Sequence, residues 1–140
     1  MNFKNLDRPY IVAEIGVNHE GNEKLAIDMI NKAKLAGADA VKFQTYEKDN
    51  YVSIDQKERK KRIIKFCLSR KSFINLIKYC KKIEIDFFST PLNFNDVDFL
   101  DNYVKMFKVS SGDITFLPLI KKIAEKKKPT IISTGLSTLK

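Results

Sequence analysis

The sequence has few of the residues from which metal centres and disulfide frameworks are built. It contains one histidine and two cysteines in 140 residues, and Cys67 and Cys80 lack the paired spacing of a zinc site. We therefore predict two free thiols in a reducing compartment. No apolar run is long enough to span a bilayer, and the first five residues lack the apolar core of a signal peptide. These absences favour a cytoplasmic protein with no membrane partner.

The composition is strongly basic, with a formal net charge of +9 at pH 7. Such a charge is compatible with nucleic acid, an anionic membrane or a phosphorylated substrate as a partner. Most of the lysines are spread through predicted helices rather than clustered with aromatic residues, which indicates a solvated surface. Nucleic-acid binding is the weakest hypothesis, and we predict no nucleic-acid partner.

Apolar, strand-like runs alternate with amphipathic stretches, which is typical of a parallel α/β fold in one domain. We predict strands at residues 10–15, 40–44, 85–89, 106–110 and 130–133, with a helix after each of the first four. The expected helix starts are the N-caps Asn22, Ser69 and Asn95 and a first turn containing Pro118. Residues 46–65 are polar and poorly periodic, and we interpret them as a long loop that has room for one helical turn.

The hydrophobic pattern leaves two architectures open. An open, doubly wound sheet suits a chain of this length by itself. An eight-stranded (β/α) barrel normally needs about 250 residues, so this chain would form only part of one.

Two lysines stand inside predicted strands, Lys42 in the second and Lys108 in the fourth. A lysine buried in a parallel sheet costs on the order of a few kcal/mol unless an anion compensates its charge. Both lysines lie near the carboxyl ends of their strands, where barrels and open α/β sheets bind ligands. With neighbouring hydroxyl groups and turn amides, they predict a cradle for a phosphate or carboxylate. The alternative is that each stem runs along the core and carries its amine to solvent.

Five short motifs occur in order along the chain. They are AEIGVNHEG at residues 13–21, GADAVKFQT at 37–45, FSTP at 88–91, FKVSSGD at 107–113 and ISTG at 132–135. Together they resemble the signatures of the sialic acid synthase family, which includes N-acetylneuraminate, legionaminate and pseudaminate synthases and the spore-coat polysaccharide synthases. The resemblance covers nearly all of the chain from about Arg8 onward.

The resemblance implies a partial (β/α)8 TIM barrel with about five parallel strands and four helices. It also implies a condensation of phosphoenolpyruvate with the open-chain aldehyde of an N-acylated hexosamine, giving a nine-carbon nonulosonic acid. In such enzymes a divalent metal, manganese or magnesium, polarises the aldehyde. The family's metal-binding histidines belong to later strands, so the resemblance implies no metal ligand in this chain.

Matching motif positions carry over six substrate-binding residues, five for phosphoenolpyruvate and the last for the sugar: Lys42, Thr90, Lys108, Ser111, Ser133 and Gln44. Glu20, in the turn after the first strand, is expected to be an acid–base carboxylate. Glu14 lies inside that strand and is given a structural role only, with Lys42 as a candidate partner. His19 is expected to be a hydrogen-bonding scaffold of its turn.

The resemblance further implies that residues 1–140 are the N-terminal part of the barrel, without its last three strands and without the family's C-terminal antifreeze-like domain. Such a piece has unpaired strand edges, so we expect self-association or a complementing C-terminal half. The alternative to an enzyme segment is a truncated, non-catalytic anion-binding α/β module or a relic.

Overall fold

The computed structural model describes residues 6–48, 51–53 and 55–138. These residues form five β-strands, five α-helices and a 3₁₀ turn at Ser111–Asp113, which confirms the predicted α/β class. The strands are β1 (Val12–Gly16), β2 (Ala40–Thr45), β3 (Asp86–Pro91), β4 (Phe107–Val109) and β5 (Thr130–Ile132). The helices are α1 (Glu23–Leu35), α2 (Lys57–Phe66), α3 (Arg70–Lys82), α4 (Phe94–Asp101) and α5 (Leu117–Glu125).

The strands follow one another in space in the order of the sequence. β1, β2 and β3 are hydrogen-bonded as neighbours, β4 pairs with β5, and β4 lies beside β3. Each hydrogen-bonded pair is parallel. The carboxyl ends of paired parallel strands meet at one edge of the sheet, so the loops that follow the strands share that edge.

The two faces of the sheet have different partners because side chains alternate along each strand. On one face, Val41 and Phe43 of β2 pack against Ile30 of α1 and Phe73 of α3. A second cluster on this helix-covered face joins α4 and α5 to β4. The opposite face carries only a small apolar cluster around Phe88. Lys42 and Lys108 alternate with the core residues of β2 and β4 and therefore lie on that opposite face.

The helix starts follow the predicted capping chemistry with one exception. Asn22 caps α1 by accepting from two backbone N–H groups, and Ser69 caps α3 by accepting from Ser72 N. Pro118 lies in the first turn of α5, as predicted. The prediction that Asn95 caps α4 was wrong. Asn93 accepts from Asp96 N instead, because the strand before it extends through Pro91 and the helix begins two residues earlier.

The predicted loop at residues 46–65 contains a full ten-residue helix, α2, so the prediction of four helices was wrong by one. None of its side chains is fully buried, which is why it lacks the apolar periodicity that identifies a packed helix. Its residues have high intrinsic helix propensity, and Lys61 pairs with Glu58 along the surface at 2.8 Å. Among the described residues, no helix is long and apolar enough to cross a membrane.

Candidate functional site

Lys42 is buried in β2 and points to the face of the sheet away from the helices. Its Nζ lies 2.8 Å from Oε2 of Glu14, its register partner on β1. This confirms Glu14 as the partner of Lys42. The Lys42 side chain is only 7% exposed, whereas that of Glu14 is 60% exposed. The ammonium group is therefore shielded from solvent, whereas the carboxylate of Glu14 is accessible to it.

Lys108 is the second buried lysine, on β4. Its Nζ donates to the backbone oxygen of Val109 and to Oγ of Ser133, both at 2.6 Å. The pKa of Lys108 is lowered, first by burial and then by the positive charge of Lys42, while Glu14 and Asp113 oppose the shift. The two amines are therefore close enough to repel each other. Glu14 contacts Lys42 directly, whereas no acidic side chain of the described residues forms an ion pair with Lys108, so an anion bound there would offset its charge.

Several hydroxyl groups lie at or just beyond the carboxyl ends of β3, β4 and β5. Thr90 is buried at the register position of Gln44, and its Oγ1 has no hydrogen-bond partner among the described residues. A buried hydroxyl without a partner costs free energy, so this group is available to a bound ligand. Ser133 already accepts from Lys108. Ser111 is exposed, and its Cβ lies 3.0 Å from where a Cβ of Gly135 would be, which brings the loops after β4 and β5 together.

The structure thus gathers Lys42, Thr90, Lys108 and Ser133 at the carboxyl ends of the strands. Gln44 lies two residues beyond Lys42 on the same face of β2 and is half-buried. Whether these groups bind a substrate stays a prediction. The geometry provides two ammonium groups and, on the neighbouring strand β3, a Thr90 hydroxyl that has no hydrogen-bond partner among the described residues.

Glu20 lies in the turn between β1 and α1, exposed and with a left-handed backbone (φ of 50°). In the described part of the chain it forms no ion pair with either lysine. Its predicted acid–base role is untested by this geometry. Glu14 is the carboxylate that lies at the lysines, and the sequence reasoning gave it only a structural role. Glu14 and Lys42 lie on the same face of the sheet, on neighbouring strands, and this is the signal that could have singled out Glu14.

His19 supports the turn after β1 from inside. Its Nδ1 accepts a hydrogen bond from Gly21 N at 3.1 Å, and its ring stacks on Phe43. Burial lowers the pKa of His19, so the neutral ring is favoured. This confirms the predicted scaffold role. Among residues 6–48, 51–53 and 55–138, no three His, Cys, Asp or Glu side chains converge as a metal site, so the residues present do not fit a metal ion.

A buried ion pair ties the starts of α3 and α4 together at the rim of this edge. Asp96 is fully buried and accepts a hydrogen bond from Nη2 of Arg70, whose guanidinium also lies 4.3 Å from the ring centroid of Phe99. Arg70 further contacts Glu47, just beyond β2, at 3.1 Å. Burial raises the pKa of Asp96 to about 6, and the Arg70 charge only partly offsets this. Keeping Asp96 ionised beside Arg70 therefore costs desolvation free energy.

We expect Asp96→Asn to change how stability depends on pH. A carboxyl with an unfolded pKa near 3.8 and a folded pKa of about 6 binds its proton more tightly in the folded state. The contribution of Asp96 to the free energy of unfolding should therefore be largest below pH 4 and fall as pH rises towards 6. Urea unfolding of wild type and Asp96→Asn across this range measures the difference. A wild-type stability that rises relative to the variant over this range would contradict the assignment.

Comparison with known proteins gives the chain its relatives. The sequence model of the NeuB family matches residues 29–140. The chain is 38% identical to the N,N'-diacetyllegionaminic acid synthase of Campylobacter jejuni, over 96% of this chain and 44% of that protein. It is 33% identical to the human N-acetylneuraminate-9-phosphate synthase, over 93% of this chain and 40% of that protein.

A solved structure matches the fold over almost the whole chain. It is the N-acetylneuraminic acid synthetase of Leptospira borgpetersenii, in complex with citrate, with a TM-score of 0.91 and 30% identity. The match covers 99% of this chain and 50% of that one. The chain thus spans half or less of the length of each of these three proteins.

Proposed function

Because the chain belongs to the NeuB family, we propose that it forms the first strands of a (β/α)8 barrel that condenses phosphoenolpyruvate with an N-acylated hexosamine. Its relatives are synthases of sialic, legionaminic and pseudaminic acids. The strand-to-strand order and the similarity to a synthetase of this family support the partial barrel. Complete activity is proposed for the barrel as a whole.

The observation that carries this proposal is the pair of buried lysines inside β2 and β4, on the sheet face away from the helices. Phosphoenolpyruvate carries a phosphate and a carboxylate, and each can accept charge-assisted hydrogen bonds from an ammonium group. Lys42 and Lys108 would hold these two groups, with the free hydroxyl of Thr90 and those of Ser111 and Ser133 completing the cradle. The anion would offset both the burial of Lys108, which is the main cause of its lowered pKa, and the repulsion from Lys42.

The proposed reaction forms one carbon–carbon bond and replaces the phosphate ester oxygen on C2 by the oxygen of a water molecule. C3 of phosphoenolpyruvate attacks the aldehyde carbon of the sugar, water adds at C2, and inorganic phosphate leaves. The described residues do not supply ligands for the divalent metal that the resemblance to the family implies. Gln44, beyond Lys42 towards the mouth of the site, would contact the sugar. Glu20 would assist proton transfer around the tetrahedral intermediate.

A titration of this chain with phosphoenolpyruvate, followed by calorimetry, tests the anion site directly. Turnover is tested by adding the C-terminal region of a relative, such as the Campylobacter jejuni synthase, and measuring phosphate release with N-acylated hexosamines and manganese. Phosphate release that requires both pieces supports the enzyme. Binding of phosphoenolpyruvate without turnover under any complementation would instead favour a non-catalytic anion-binding module.

A matched pair of substitutions in the complemented protein distinguishes the role of Glu14 from that of Glu20. If Glu20 is the acid–base group, Glu20→Gln should lower kcat by about 100-fold or more, while Glu14→Gln should mainly change phosphoenolpyruvate affinity through the charge of Lys42. The contrary result, a large loss of kcat in Glu14→Gln alone, would move the acid–base role to the carboxylate that contacts Lys42 at 2.8 Å. Steady-state kinetics with both substrates varied distinguishes the two.

A further inference from the structure

The basic helix α2 has no part in the proposed reaction. Its ten residues include six lysines or arginines and one glutamate, a net charge of +5 within a chain whose total is +9. The helix contributes no fully buried side chain to the core. More than half of the net charge of the protein is therefore concentrated in one surface helix of about three turns, where packing does not require it.

Most of this charge is unpaired. Lys61 pairs with Glu58, and Arg59 bonds Gln56 and lies over the ring of Tyr51. In the part of the chain that the structure describes, the three remaining basic residues of the first two turns form no ion pair with an acidic side chain. They are Lys57, Lys60 and Arg62. An unpaired cluster of this kind projects a positive potential into solvent over about one Debye length, roughly 8 Å at physiological ionic strength.

The helix is fixed at the edge of the sheet where the two lysines lie. The backbone of Gly21, just after β1, packs directly against the carbonyl of Lys65 near the end of α2. Tyr46, just after β2, donates its hydroxyl to the carbonyl of Ile63 at 3.3 Å. Tyr46 is four residues beyond Lys42, about 13 Å along an extended strand. The carboxyl end of α2 is therefore held beside the loops that follow β1 and β2, at the edge of the sheet where the proposed cradle opens.

We propose that α2 is an electrostatic capture surface that speeds the arrival of phosphoenolpyruvate at the cradle. This rests on the proposed function. A substrate with two or three negative charges is drawn towards the unpaired cations of α2 and diffuses over a short distance to the buried lysines. A charged surface beside a site acts mainly on the association rate and loses its effect in high salt.

Other anionic partners fit the helix less well. A nucleic acid is expected to need a longer basic stripe with stacking platforms, and α2 spans about 15 Å with Tyr51 stacked on Tyr46. A membrane needs a broad apolar face opposite the charges, and the apolar residues of α2 are few, with Ile63 and Phe66 already partly buried. The small anion is favoured because the cradle for it stands at the same edge.

The test compares two triple variants that remove the same number of charges. K57Q/K60Q/R62Q neutralises the unpaired cations of α2 and keeps good helix formers. K78Q/K81Q/K82Q is the control, because these exposed lysines lie in the second half of α3, next to the amino end of β3. Rates of phosphoenolpyruvate binding are obtained from ³¹P line shapes during titration, since the chain contains no tryptophan.

At about 20 mM ionic strength, the α2 variant should bind phosphoenolpyruvate three- to tenfold more slowly than wild type, with a dissociation rate unchanged within about twofold. At about 0.5 M the difference should fall below about twofold, and the control should match wild type at both. Equal losses in both variants, a change confined to the dissociation rate, or no change would overturn the proposal. So would a loss of oligonucleotide or anionic-vesicle binding in the α2 variant with phosphoenolpyruvate rates intact. Failure of wild type itself to bind phosphoenolpyruvate would instead overturn the proposed function.

Discussion

Replacing Lys108 by methionine should weaken phosphoenolpyruvate binding by at least about 1.5 kcal/mol, or more than tenfold. The ammonium group of Lys108 is desolvated and is repelled by that of Lys42, so a bound anion would stabilise its charged form. Methionine keeps the apolar stem and removes only the charge and the hydrogen bonds to Ser133 and Val109. Lys42→Met should have an effect of similar size, since the neighbouring charge of Glu14 would then face the substrate alone.

The same substitution should leave the protein at least as stable without ligand. Burial disfavours the ammonium form of Lys108, and the Val109 carbonyl still accepts from Ser133 N after the lysine is removed. A loss of affinity together with an unchanged or higher unfolding temperature would mark a group kept for binding rather than for folding.

The matched control is Lys105→Met, because Lys105 is an exposed lysine just before β4, at the opposite end of that strand. Calorimetric titration of the three variants makes the comparison. Undiminished affinity in both Lys42→Met and Lys108→Met, or equal losses in all three variants, would mean that the buried amines do not hold the anion.

Gly21→Ala should destabilise the fold by about 2–5 kcal/mol, far more than Gly37→Ala. Both glycines have positive φ angles, 77° and 85°, so each alanine variant has the strain of a left-handed backbone, about 1–2 kcal/mol. At Gly37 a Cβ atom would meet nothing within 4 Å. At Gly21 it would collide with the backbone carbonyl of Lys65, so either the turn after β1 or the end of α2 must move.

The pair of glycine variants isolates the contact between α2 and the rest of the domain. Urea unfolding of both proteins gives the two free energies, and hydrogen exchange across residues 57–66 shows whether α2 has come loose. If Gly21→Ala loses no more stability than Gly37→Ala and exchange in α2 is unchanged, then α2 does not pack on Gly21 as described.

Much of the fold could be predicted because the information is local. The alternation of apolar runs predicts the five strands to within two residues at most ends, and the Asn22 and Ser69 caps are visible in the sequence because capping needs a particular side chain at a particular place. The helix α2 was missed because little of the information that places it is local. Its side chains are not buried, so no apolar stripe marks it, and its position depends on a backbone contact with Gly21 and a hydroxyl bond from Tyr46.

The sequence by itself determined the α/β class, the family and the two lysines that need a counter-charge, because a charged residue inside an apolar strand is conspicuous without coordinates. Only the tertiary structure decided which groups meet. It paired Lys42 with Glu14, joined Lys108 to Ser133, left Thr90 Oγ1 with no hydrogen-bond partner among the described residues and placed a basic helix at the same edge. The physical reason is that strand register and loop packing bring together residues 25 or more positions apart, and short-range patterns carry no record of that register.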